Sequence, residues 1–222
     1  MRTSGAHGPF FTMSTAPEPV LDLIGIGKSF VGVTALQDAR LRLWPGEVHA
    51  LMGQNGAGKS TLIKVLTGVH PADSGTMRLA GREIRPESPQ AAQALGIATV
   101  YQEVNLCPNL SVAENILAGR MPRRWGWIDW RAVRRLALAS LEPLQIEVDP
   151  DRTLGEYPVA VQQMVAIARA VSQDARLLIL DEPTSSLDEA ETERLFTVMR
   201  RLKARGVAIL FVTHFLEQAY AM

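Results

Sequence analysis

The chain is short of cysteine, of net charge and of long apolar runs, and each shortage narrows what it can be. A single cysteine, Cys107, in 222 residues leaves no internal disulfide, so no oxidising compartment is implied. Beside Pro108 it is expected to act as a small packing residue and not as a reactive thiol. Lysine plus arginine and aspartate plus glutamate each number 23, which sets the formal net charge to zero. A general nucleic-acid binder needs a cationic excess to meet phosphates, so no nucleic-acid partner is expected, although local basic patches stay open. The apolar stretches, among them Leu177–Leu180 and the six-residue Val207–Val212, fall far short of the roughly 20 residues that span a bilayer. The first twenty residues are rich in Gly, Pro, Ser and Thr without an apolar core, so a secretory leader is not expected. Met13 offers an alternative start, and residues 1–19 are expected to form a flexible tail.

What is present is a globular composition, 47% hydrophobic and 21% charged, at a length that fits one domain or a domain with a small appendage. Val20–Ile26 alternates and predicts a first strand. Trp44-Pro45-Gly46 signals a turn, after which Glu47–Met52 predicts a second strand. Gly53–Gly58 reads as a loop and Lys59–Leu66 as a helix stopping at Gly68. Residues 70–90 read as short strands joined by turns, and Ile97–Val100 as a further strand. From about 104 to 171 the pattern is helical: Ser111 with Glu114 makes a capping box, Asp129 opens a run over Trp130–Leu141, and Val161, Met164, Val165 and Ala168 share one face. No strand is expected there, so this stretch is an inserted helical subdomain. Leu177–Leu180 reads as a strand buried on both faces of a parallel sheet. A capped helix follows from Asp188, stopped by Gly206, then the strand Val207–Val212 and the start of a last helix. The fold class is α/β with a helical insertion.

Gly53-Gln54-Asn55-Gly56-Ala57-Gly58-Lys59-Ser60-Thr61 fits G-x-x-x-x-G-K-[ST] without departure, between a predicted strand and a predicted helix. Such glycines let successive N–H groups turn inward on an anion, with the helix N-terminus adding its partial positive charge. Lys59 supplies a cation to outer phosphates and Ser60 a hydroxyl to Mg²⁺. The pattern predicts binding of a nucleoside triphosphate. Further on, Leu177-Leu178-Ile179-Leu180-Asp181-Glu182 is an apolar strand ending in two carboxylates. Asp181 is the expected Mg²⁺ partner, and Glu182, one residue further out, can orient or deprotonate a water.

Lys59, Gln102, Asp181-Glu182-Pro183-Thr184, Ser186-Leu187-Asp188 and His214 follow the order of motifs in the ATP-binding cassette (ABC) ATPases, which the chain resembles over residues 20–222. The resemblance implies a P-loop NTPase with a mostly parallel core sheet, an N-terminal antiparallel β subdomain and a helical subdomain over about 104–171. It implies ATP and Mg²⁺ as cofactors, with Ser60, Gln102 and Asp181 at the metal. Glu182, Gln102 and His214 are implied as catalytic residues, and Phe30 as the aromatic that stacks on adenine. Tyr101–Leu106, Pro108–Asn115, Gln162–Ala170 and Phe211–Leu216 are similar to the sugar-importing branch with two ATPase halves, the first half of galactofuranose-type importers above all. A peripheral subunit on the cytoplasmic face of the cell membrane is then implied. Its implied partners are transmembrane permease subunits, a second ATPase domain and, indirectly, a periplasmic sugar-binding protein.

Two departures stand out. The family signature, usually Leu-Ser-Gly-Gly-Gln, aligns with Tyr157-Pro158-Val159-Ala160-Val161, where Pro158 brings neither hydroxyl nor N–H. This copy is expected to be a poor phosphate clamp. The sequence also stops soon after His214, which reads as a truncation of a tandem protein. Alternatives therefore stay open: a nucleotide-binding fragment inactive alone, or a soluble ABC ATPase acting on DNA or ribosomes. Trp125, Trp127 and Trp130 are expected to pack within the helical insertion and not to contact the membrane subunit.

Overall fold

The computed structural model describes residues 18–101 and 106–221. β1 (Leu21–Phe30) and β2 (Val33–Leu43) form an antiparallel ribbon, followed by β3 (Val48–Leu51) and α1 (Lys59–Leu66). Next come β4 (Ser74–Leu79), β5 (Arg82–Glu83), α2 (Pro89–Ala94) and β6 (Ile97–Val100). The middle holds α3 (Val112–Ile116), the short strands β7 (Arg123–Arg124) and β8 (Trp127–Ile128), α4 (Trp130–Leu141) and α5 (Val159–Val171). β9 (Leu177–Asp181), α6 (Glu189–Ala204), β10 (Ala208–Val212) and α7 (Leu216–Tyr220) complete the order.

Two four-stranded sheets result. One is antiparallel in the order β2-β1-β4-β5; the other is parallel in the order β3-β10-β9-β6. The parallel sheet is apolar on both sides because its strands serve two cores at once. Leu178, Leu180, Ile209 and Phe211 face the cluster that includes α3, α4, α5 and α6. Leu177, Ile179, Ala208, Leu210 and Val212 face the cluster built with α1 and the antiparallel sheet. A strand buried on both faces cannot alternate, which is why β9 and β10 read as unbroken apolar runs. Each fully buried Leu or Phe contributes about 1.5–3 kcal/mol relative to exposure, so these two strands anchor the molecule.

Several expectations need correction. The first strand runs on to Phe30, and β2 and α2 were not anticipated. The stretch expected to lack strands contains the β7–β8 hairpin. Trp125, Trp127 and Trp130, expected to pack, are 89%, 82% and 56% exposed. Cys107 is exposed as well, because its backbone, not its thiol, is what the fold holds: Asn115 accepts from its N–H at 2.7 Å and donates to its carbonyl at 2.9 Å. The tail call at 1–19 falls mostly on residues 1–17, outside the described residues. Among the described residues no helix is long and apolar enough to cross a membrane.

Candidate nucleotide site

The parallel strands end in register on one edge. Leu51 lies opposite Val212, Val212 opposite Asp181, and Leu180 opposite Val100. Loops that leave the carboxyl ends of parallel strands create the crevice in which such sheets bind ligands. Residues 53–61 leave from β3, Thr213 and His214 from β10, and Asp181 and Glu182 from β9. Tyr101 leaves from β6; Gln102, the next candidate, lies outside the described residues.

The loop after β3 is shaped by its glycines. Gly58 has φ +89°, and a Cβ there would stand 2.6 Å from the Ala35 carbonyl oxygen, so both the backbone angle and the press of β2 demand glycine. Gly56, at φ +83°, faces open space. Lys59 folds across the loop, its Nζ donating to the carbonyls of Gly53 (2.6 Å) and Gln54 (3.0 Å). Ala57 N–H donates to Gln54 O at 3.2 Å and closes the turn. The first backbone bond of α1 runs from Leu62 N–H to Gly58 O at 2.9 Å. Helix geometry therefore leaves the N–H groups of Lys59, Ser60 and Thr61 without intrahelical partners, and the first turn carries no acidic residue. Gln54, Asn55, Gly56, Ala57 and the Ser60 side chain are exposed, so the donors are open to an incoming anion.

Opposite stand the two carboxylates. Burial, and after it the neighbouring Glu182 charge, pushes the Asp181 carboxyl above its ordinary value, while the Lys59 ammonium pulls the other way. The loop lysine and the strand-end aspartate thus sense each other. Glu182 adopts φ +48°, a left-handed conformation rare for a side chain of this size. Its N–H donates to Val212 O at 3.1 Å, tying the turn to β10, and its Oε1 stands 3.5 Å from His214 Nδ1. The structure therefore brings Lys59, Asp181, Glu182 and His214 to one edge.

A polar support behind them was not visible in the sequence. The hydroxyls of Thr184 and Thr213 both donate to Gln218 Oε1, at 2.7 and 3.0 Å, and Thr213 Oγ1 accepts from Phe215 N–H at 3.1 Å. Gln218 of α7 so joins the loops after β9 and β10 that carry Glu182 and His214. No motif singles it out, because a glutamine on a short helix has no distinctive spacing.

Among the described residues no group of three or more His, Cys, Asp or Glu could hold a metal on protein ligands alone. The donors at this edge, the Ser60 hydroxyl and the Asp181 carboxylate, are sparse and hard. That set fits Mg²⁺, which takes one or two protein ligands and fills its octahedron with water and phosphate oxygens. Phe30, at the end of β1, is 42% exposed; it meets the His70 ring edge-on at 5.2 Å and has Lys28 Nζ at 5.6 Å. A cavity of about 610 Å³ lies beyond His70, lined by Val69, Asp73, Met77, Arg85 and Glu87, and no residue of the loop 53–61 lines it.

The segment Tyr157–Val161 leads into α5. Pro158 is the N-cap, with no side-chain hydrogen bond to the helix, and Val159 is exposed while Ala160 is buried. The Tyr157 carbonyl accepts from Gln162 Nε2 at 2.9 Å, and its hydroxyl accepts from Asp149 N–H at 2.9 Å. The start of α5 therefore offers a pyrrolidine ring and an isopropyl group where a hydroxyl and glycine amides were looked for.

A family model described as ABC transporter matches residues 36–185. The ribose import ATP-binding protein RbsA 2 of Streptomyces avermitilis is 52% identical over 207 residues, covering 93% of this chain and 41% of that protein. The galactofuranose transporter ATP-binding protein YtfR of Escherichia coli (strain K12) is 50% identical over 203 residues, covering 91% of this chain and 41% of its own length. The chain thus spans about two-fifths of the length of these curated relatives. A solved nucleotide-free ATP-binding cassette from an ABC transporter superposes with TM-score 0.81 at 26% identity, covering 92% of this chain and 85% of that one. On this match, and on the phosphate loop and strand-end acids that underlie it, the chain belongs to the ABC transporter family.

Proposed function

We propose that the chain binds Mg·ATP at this sheet edge and, joined to a second ATPase domain, hydrolyses it to drive carbohydrate import through a membrane permease. The names of the relatives, both sugar-import ATP-binding proteins, support the carbohydrate assignment. The observation that carries the chemistry is the convergence of Lys59, Asp181, Glu182 and His214 at one edge, with Glu182 held at 3.5 Å from His214 in a left-handed conformation. In this reading the amides of residues 53–61 and Lys59 cradle the phosphates, and Phe30 faces the adenine. Ser60 and Asp181, with Gln102 from the sequence resemblance, would hold Mg²⁺, which when bound would neutralise charge on the phosphate oxygens.

Glu182 orients a water and takes its proton as the water oxygen bonds to the γ-phosphorus. The bond from that phosphorus to the β–γ bridging oxygen breaks, and ADP departs with the electron pair. His214 steadies the Glu182 carboxylate and the γ-phosphate side of the crevice. α3, α4 and α5 belong to the inserted helical subdomain expected over about 104–171, and the whole sits peripherally on the cytoplasmic face of the membrane with a periplasmic sugar-binding protein as an indirect partner. Pro158 and Val159 favour a second, narrower statement: the chain alone binds nucleotide but turns it over poorly, since its own signature segment offers no phosphate clamp.

The test is Glu182→Gln in the assembled transporter. It should keep Mg·ATP affinity within about threefold while lowering turnover by about 10²–10⁴-fold, the usual worth of a positioned general base. Unaltered hydrolysis would remove Glu182 from that role.

A further inference from the structure

The β7–β8 hairpin and the start of α4 collect three of the chain's four tryptophans and a concentration of arginine that the neutral overall charge conceals. Residues 120–135 contain six arginines against one acid, Asp129. That acid is already engaged as the N-cap of α4, accepting from Ala132 N–H at 3.0 Å. Arg120 is bound to backbone carbonyls and Arg134 pairs with Asp151 at 3.3 Å. Arg123, Arg124, Arg131 and Arg135 are exposed and make no ion pair among the described residues. Four exposed guanidiniums without an ion pair therefore lie within six residues in sequence of indoles that are 89%, 82% and 56% exposed.

The turn itself is unusual. Arg124 pairs with Trp127 across a two-residue turn in which both Trp125 (φ +56°) and Gly126 (φ +86°) lie in the left-handed region. Such turns favour Asn-Gly, and a tryptophan at the first position is strained by about 1–2 kcal/mol. The strain places the largest side chain in the chain at the outermost point, where a Cβ built on Gly126 would meet nothing within 4 Å. The hairpin is nevertheless firmly based. Met121 and Ile128 pack on the main core, and Asp129 N–H donates to Pro122 O at 2.9 Å. A strained tip on a fixed base is the arrangement expected where function, not folding, chose the residue.

We propose that this hairpin is an interfacial contact for an anionic phospholipid surface. Indoles settle at the headgroup level, where the ring meets acyl chain and the N–H meets ester or phosphate oxygen. Guanidiniums bind lipid phosphates through two parallel N–H donors, and an anionic leaflet attracts each cation near it. A projecting tip suits a bilayer, which accommodates any convex shape, whereas a protein partner would need a matching pocket.

The test uses the full chain without nucleotide, so its failure is separable from failure of the ATP reading. Binding is measured by co-sedimentation with vesicles of phosphatidylcholine alone or mixed with phosphatidylglycerol. At least about tenfold more protein should bind the anionic vesicles, with release at raised salt. Tryptophan emission should shift to the blue and be quenched by brominated lipid. Trp125→Ser/Trp127→Ser/Trp130→Ser should lose the quenching and about tenfold in binding. Arg123→Gln/Arg124→Gln/Arg131→Gln/Arg135→Gln, with every tryptophan kept, should lose the preference for anionic lipid. Both sets lie on the surface, and unchanged thermal melting checks the fold. Equal binding to both vesicle types, undiminished binding by both variants, tighter binding to a DNA duplex, or capture by neutral vesicles only when they contain a permease would each overturn the proposal.

Discussion

At Glu182 the backbone φ is +48° and the carboxylate stands 3.5 Å from His214 Nδ1, while one residue earlier Asp181 is half-buried with its carboxyl raised from its ordinary value by that burial. Two adjacent acids thus occupy unlike environments. Their presence after an apolar strand was plain in the sequence; their separation was not, because it depends on the left-handed turn at Glu182 and on the burial of Asp181, with the Lys59 charge of another loop acting on it. Lys59→Ala removes that cation and should weaken Mg·ATP binding by about tenfold to hundredfold, the worth of one or two charge-assisted bonds. Equal affinity of the two proteins for a fluorescent ATP analogue at fixed Mg²⁺ would contradict it. Asp181 also makes stability depend on pH. A carboxyl whose pKa is higher folded than unfolded binds its proton more tightly in the native state, so stability falls as pH rises from the unfolded value through the folded one. Asp181→Asn, which cannot ionise, should therefore melt at a higher temperature than the parent at neutral pH without nucleotide. The difference should shrink as the pH is lowered through the carboxylate range. A variant that melts lower at neutral pH would reverse the sign.

Elements with an uninterrupted pattern were legible: α1 and α4 span Lys59–Leu66 and Trp130–Leu141 as their periodicity indicates. Both capping boxes are also in place, Ser111 with Glu114 and Asp188 with Glu191. β2 was not legible because its alternation changes phase. Asp38 has φ +49°, so the inward positions pass from Leu36 to Ala39, Leu41 and Leu43, and a period of two is lost across the bulge. The β7–β8 pair was missed for a simpler reason, since two-residue strands carry no period at all. Nor did spacing reveal how the helices are tied. Arg120 donates to Ile116 O at the end of α3 (3.1 Å), to Ser172 O at the end of α5 (2.9 Å) and to the Ser172 hydroxyl. One cation so neutralises the carbonyl ends of two helices. Arg120→Ala should cost about 1–2 kcal/mol, allowing for partial solvent exposure. It should lower the urea midpoint with the slope unchanged. An unmoved midpoint would show that the tie contributes nothing.

Across the whole molecule, the parallel sheet explains why residues far apart in sequence share one edge. Gly53–Thr61, Asp181–Glu182 and His214 each follow a strand, and the in-register pairing of Leu51, Val212 and Asp181 lines those strand ends up. The motif positions were readable because they sit at loop junctions of fixed chemistry, whereas the Gln218 bridge and the exposed tryptophans depend on packing that no local pattern encodes. On the proposed reading, this edge is one face of a phosphoryl-transfer site. Its open N–H donors lie on the exposed loop 53–57, with Lys59, Asp181 and Glu182 part-buried behind them, and the start of α5, capped by Pro158, offers no hydroxyl or glycine amides to complete another copy. Positioning and charge stabilisation supply nearly all the rate in phosphoryl transfer, so half of a site should give little of it. The decisive measurement is the ATP hydrolysis rate of the purified chain across a range of its own concentration, for the parent and for Glu182→Gln, beside Mg·ATP affinity in the same buffer. Tight binding with hydrolysis near background at every concentration is expected, turnover appearing when the permease and a second ATPase domain are added. Brisk hydrolysis per molecule that is independent of concentration and abolished by Glu182→Gln would show that a single domain suffices and would contradict the composite site.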